Sequence, residues 1–120
     1  MATLIDQEFR ARLAALGDKY AARLPATLQA ISDALSHCRN DQDDAEGIAQ
    51  LHDLLHGVAG SAGTFGLAVL GQQARRLEQE LRPLQGKRPA ELPGWAVLAE
   101  QVERWLEWAG RDPKGEHYDA

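Results

Sequence analysis

The chain has a single cysteine, no apolar run near the roughly 18 residues that mark a membrane span, and no excess of positive charge. Each shortage excludes something. Cys38 has no second thiol to pair with, so an internal disulfide is impossible and a reducing, cytoplasmic setting is expected. No transmembrane helix is expected, and no basic segment followed by an apolar run marks a secretory signal. Thirteen Lys and Arg against 18 Asp and Glu leave a net charge of −5, where a nucleic-acid binder needs a basic stripe. No Gly-Lys-Ser/Thr follows the glycines, so the chain lacks a nucleotide-phosphate loop. No pair of carboxylates stands out as catalytic. Ser61 and His56 lie five apart on a helix and point in different directions, which disfavours a Ser–His nucleophile pair. Strand alternation, internal repeats and low-complexity tracts are also missing.

What is present is helical periodicity within a length suited to one domain. A chain of this size buries roughly two-thirds of its unfolded surface, enough for a core without staples. Leu4, Ile5, Phe9, Leu13 and Leu16 recur at three and four, with Thr3 as an N-cap and Gly17 as a C-cap: a short first helix. Asp18 starts a second, whose stripe is Tyr20, Leu24, Leu28, Ile31, Leu35 and Cys38, kinked or restarted at Pro25. Cys38 reads there as a small core residue. Arg39 to Asp43 is a polar connection, and Asp43 or Asp44 opens a third helix. Its buried stripe is Ile48, Leu51, Leu55, Val58, Ala62 and Phe65, with His52 and His56 on an outward shoulder.

Gly66 marks a turn, and Leu70, Ala74, Leu77, Leu81 and Leu84 recur on a fourth helix that frays at Pro83. Residues 85–94 form a Pro- and Gly-bearing loop. Trp95, Leu98, Val102, Trp105 and Ala109 line a final helix, and Trp108 falls off that stripe. The expected fold is all-α: an antiparallel four-helix bundle with a short additional N-terminal helix across one end. Residues 1–110 would form the domain, and 111–120 a flexible, fraying tail.

The chemistry concentrates between His56 and Glu78. Gly57, Gly60 and Gly63 each cost a helix about 1 kcal/mol relative to Ala. Ala59 and Gly60 lie one turn from His56 on its own face. Such a strip suits close approach of another macromolecule to the imidazole. Close helix packing is the alternative, and Gly63, near the helix end, could serve it. His52 and His56 form an H-x-x-x-H pair that could chelate a metal. However, Asp53 stands where the protease motif has Glu, and no third ligand is near, so no metal is expected. A neutral imidazole is a competent nucleophile when its second nitrogen holds a proton against a carboxylate. Glu78, at the edge of the fourth helix's stripe, is the best candidate for that carboxylate. An ordinary solvated glutamate is the alternative.

These residues resemble the histidine-containing phosphotransfer domains, including that of the chemotaxis histidine kinases. The match runs H-x-V-x-G-S-A-G-T-F-G from His56 to Gly66, then Leu70 and the Leu77–Glu78 pair. The resemblance implies that His56 is the phosphorylated histidine and that Glu78 contacts its imidazole. One departure is Ala59, where the family often has lysine. Arg75, which shares the face of Glu78, is the preferred substitute for that charge, ahead of Arg76. The implied function is a phosphorelay intermediate that accepts a phosphoryl group from a receiver-domain phosphoaspartate and passes it to another receiver. Its partners would be a response-regulator receiver domain and a hybrid sensor histidine kinase. Mg²⁺ would be supplied by the receiver, with no cofactor of its own and no autonomous kinase activity. Gly57, Ala59, Gly60, Ser61, Gly63 and Gly71 are the expected docking residues. A helical adaptor that binds a receiver or kinase without carrying phosphate is the alternative. A monomer is expected, and a free-standing shuttle or a module of a larger hybrid kinase both remain open.

Overall fold

The computed structural model describes residues 4–120. Among the described residues four helices make the fold: α1 (Leu4–Asn40), α2 (Glu46–Ser61), α3 (Ala68–Leu81) and α4 (Trp95–Arg111). Short 3₁₀ turns at Ala62–Phe65, Arg82–Leu84 and Pro89–Glu91 join them, and the described residues contain no strand. The chain is the expected all-α, four-helix bundle.

Its N-terminal part departs from expectation. α1 runs unbroken through Gly17 and Pro25, so the N-terminal segment extends the first bundle helix in line instead of crossing one end. Gly17 does not take the left-handed conformation of a C-cap; the positive-φ residues among those described are Gly66 and Gly86. Instead Gly17 lies beneath Phe65, whose Cβ is 3.9 Å from where a Cβ on Gly17 would stand. Pro25 is on the solvent side, where water can reach the carbonyl that its missing N–H leaves without a donor. The extension leaves Leu4, Ile5 and Phe9 exposed and draws the molecule out to 58 Å. The proposed N-cap, Thr3, lies outside the described residues.

The core is built from the predicted stripes. Ile31, Leu35 and Cys38 of α1 meet Ile48, Leu51, Leu55 and Val58 of α2; Leu70, Ala74, Leu77 and Leu81 of α3; and Val102 and Trp105 of α4. Burial pushes the Cys38 thiol up to about 11, so it stays protonated and serves as packing. α1 and α2 approach closely at Gly47, where a Cβ would stand 2.8 Å from Cys38 Sγ. Phe65 is half-buried and stacks on Tyr20, with ring centroids 5.1 Å apart. Gly66, at φ 84°, closes the turn into α3 as expected.

At the C-terminus the structure places Trp108, which the sequence left open, and corrects the expected fraying tail. Trp108, off the apolar stripe in sequence, is buried at 1% exposure. Its Nε1–H donates to the His117 carbonyl at 3.1 Å, and Tyr118 packs edge-on at 5.3 Å. Residues 112–120 carry no helix, but these contacts fold the tail back over Trp108 instead of letting it fray. Tryptophan supplies both the apolar area and the donor that hold it there.

Candidate functional site

α2 sets His52 and His56 one turn apart with their rings nearly parallel, 12° between planes and 6.0 Å between centroids. α3, packed against α2, turns Glu78 in between the two helices, where its side chain is fully buried. One oxygen of that carboxylate gathers three groups. Oε1 lies 3.2 Å from His56 Nδ1, 3.0 Å from His52 Nε2 and 2.7 Å from Arg82 NH2. An ionised carboxylate only accepts, so the facing ring nitrogens are the donors. The Arg82 guanidinium holds the Glu78 carboxyl below its usual range against the opposing effect of burial, and the His56 hydrogen bond acts the same way.

That hydrogen bond fixes the tautomer of a neutral His56. With Nδ1–H committed to Glu78, the lone pair is on Nε2. The side chain is 63% exposed, so the far edge of the ring is open to a visitor.

His52 is not where the sequence placed it. It was expected on the outward shoulder beside His56, but it is buried, with Nε2 on Glu78 and Nδ1 3.2 Å from Asp53 Oδ1. Both of its nitrogens already face carboxylates, so the pair does not present two free nitrogens to a metal. Among the described residues, the His/Asp/Glu/Cys group close enough to share an ion is His37, Asp41 and Asp44, with ligand atoms within 4.8 Å of one another. It sits roughly three turns from His56 along α2. There His37 Nε2 and Asp44 Oδ2, 2.9 Å apart, tie the end of α1 to the start of α2.

The small residues divide into two kinds. Gly57, Gly60 and Gly63 are exposed, and a Cβ added at any of them would meet, beyond its own helical turn, no atom of the described residues within 4 Å. No described helix packs on them, so the close-packing alternative finds no support at these positions. Gly71 is different: it is buried, and a Cβ there would stand 3.2 Å from Ala62 Cβ and 3.4 Å from Gly63 N. It lets α3 pack under the 3₁₀ turn, which corrects its place among the docking residues. Ala59 is half-buried beside the strip. Ser61 is half-buried too; its hydroxyl donates to Gly57 O at 2.7 Å and lies 3.1 Å from the Tyr20 hydroxyl.

Arg75 crosses from α3 to α2 and donates to the Ala59 carbonyl at 3.2 Å. Its charge therefore stands beside the residue that replaces the expected lysine. Arg76 turns the other way, donating to Gln73 at 3.0 Å and to Gln101 of α4 at 3.3 Å. Arg82 was missed in the sequence. Its spacing of four from Glu78 is an ion-pair signal, but Pro83 beside it suggested a fraying end.

No described helix is long and apolar enough to cross a membrane. No curated protein and no solved structure matches the chain. The family model of the Hpt domain, however, matches residues 15–108, from the bundle part of α1 into α4 and across the whole His56–Glu78 site. With most of its length matched and an open histidine set against a buried carboxylate, the chain belongs to the Hpt-domain family, the helical phosphocarrier modules of histidine phosphotransfer in two-component signalling.

Proposed function

We propose that His56 is the phosphoacceptor of a phosphorelay, taking a phosphoryl group from the phosphoaspartate of one receiver domain and passing it to the aspartate of another. The observation that carries this reading is the open Nε2 edge of a ring whose Nδ1–H is held by the buried Glu78. In the forward step the Nε2 lone pair forms the N–P bond as the acyl phosphate P–O bond breaks. The receiver aspartate leaves as a carboxylate. The ring keeps its Nδ1 proton and gains positive charge, which the Glu78 carboxylate offsets. Running the same step backwards onto a second receiver restores the neutral ring. Positioning and charge neutralisation carry such a transfer.

The partners of this reading are a response-regulator receiver and a hybrid sensor histidine kinase. Mg²⁺ comes with the receiver, and the domain needs no cofactor and has no kinase activity of its own. It acts as a monomer. Gly57, Ala59, Gly60, Ser61 and Gly63 form the face that lets a receiver's acidic pocket come close, and Arg75 offsets the charge of the incoming phosphoryl group. Arg75→Ala should slow transfer about tenfold, the contribution of one charge-assisted contact; an unchanged rate removes Arg75 from the site.

Incubation with a receiver labelled on its aspartate tests the whole reading. The expected result is an acid-labile, base-stable label on this domain that His56→Gln abolishes. A complex with the receiver but no label would instead favour the adaptor.

A further inference from the structure

We infer that His52 and Arg82 are positioning residues for His56: between them they fix the Glu78 carboxylate so that its Oε1 accepts the Nδ1–H of the reactive ring. The inference rests on the proposed role of His56, but its geometry stands independently.

The three donors to Glu78 are unequal. Arg82 and His52 approach Oε1 to 2.7 and 3.0 Å, whereas His56 is at 3.2 Å. His52 is almost closed to solvent, with its side chain 11% exposed against 63% for His56. The two closer contacts, one of them also confined, therefore set where the carboxylate lies, and the open ring follows it. The second oxygen of Glu78 reinforces this. Oε2 is buried and meets no hydrogen-bond partner among the described residues. A carboxylate with one bare buried oxygen has no second anchor, so everything that holds it acts through Oε1. The near-parallel rings of His52 and His56 add a restraint on how the outer imidazole turns.

The consequence concerns which nitrogen of His56 can attack. While Glu78 only accepts, the ring proton stays on Nδ1 and the lone pair on Nε2. Without its two closer donors the buried carboxyl either swings away or takes up a proton. A protonated carboxyl donates to Nδ1, the ring proton moves to Nε2, and the nucleophilic edge is blocked. His52 and Arg82 thus guard the tautomer from outside the reacting atoms.

The test uses the full unphosphorylated chain with ¹⁵N-labelled histidine, and reads the His56 tautomer from long-range ¹H–¹⁵N couplings. Wild type should show the Nδ1–H form. His52→Leu and Arg82→Ala should each move His56 toward the Nε2–H form and slow phosphotransfer from a receiver about tenfold, the loss of one hydrogen bond to a charged group. His52→Gln, which retains a donor, should recover the Nδ1–H form. The Arg82 side chain is 62% exposed, so Arg82→Ala reports even if the buried His52→Leu does not fold. An unchanged His56 tautomer in Arg82→Ala, and in His52→Leu where it folds, overturns the inference. If the tautomer shifts but even the wild-type chain accepts no phosphoryl group, the proposed function fails while the positioning stands.

Discussion

At the scale of residues the site is one carboxylate and what leans on it. Glu78 is held below its ordinary value near 4.5, chiefly by Arg82. A depressed folded value means the unfolded chain binds more protons in that range, so this contribution to stability is present above about 4.5 and is lost as pH falls toward the folded value. Asp44 and Glu91 are lowered too, so acid sensitivity of the whole protein does not isolate Glu78. The comparison that does is wild type against Glu78→Gln in thermal unfolding from pH 7 to pH 3. The variant should start less stable and lose less on acidification; parallel losses would mean that Glu78 is not held this way. The sequence offered Glu78 as a partner for His56 through its place at the edge of an apolar stripe and through family resemblance. It did not reveal that His52 turns inward. A shift of a few tens of degrees around a helix separates shoulder from core, and residue spacing alone does not fix that angle.

At the scale of elements, two glycines of α2 have opposite roles. Gly60 has open space where a Cβ would go, whereas Gly47 has Cys38 Sγ at 2.8 Å and His37 Cδ2 at 2.9 Å. Gly60→Ala should therefore stabilise α2 by up to about 1 kcal/mol. Gly47→Ala should destabilise the α1–α2 contact by roughly 1–3 kcal/mol through overpacking. Denaturant unfolding of both variants checks the pair, and a loss of stability at Gly60 would mean that the strip is packed after all. The stripes of α2, α3 and α4 were legible because their apolar residues recur at the helical period and each helix has a polar boundary. α1 was misread because Gly17 and Pro25 are both local stop signals. A long helix overrides them when Phe65 covers one and solvent takes the other. The place of Trp108 stayed open in the sequence for a related reason: its cover comes from Tyr118 in the tail, a contact that no helical periodicity encodes.

At the scale of the molecule, the N-terminal extension of α1 is continuous with the bundle in helix but keeps its large apolar side chains exposed. Leu4, Ile5 and Phe9 are 73%, 76% and 65% exposed, and the family match begins only at residue 15. Removing residues 1–10 should leave the unfolding free energy within about 0.5 kcal/mol of the full chain, as for other changes away from packed features. A larger loss would show that the extension packs against the bundle.

The bundle's one task, on this account, is to hold an imidazole with one nitrogen tied and the other open. Correlated ³¹P and ¹⁵N NMR of the phosphorylated chain tests that most directly. The account predicts a single phosphoryl group coupled to Nε2 of His56, with the proton still on Nδ1. Phosphorus found on Nδ1 of His56, or on any other residue, would contradict it.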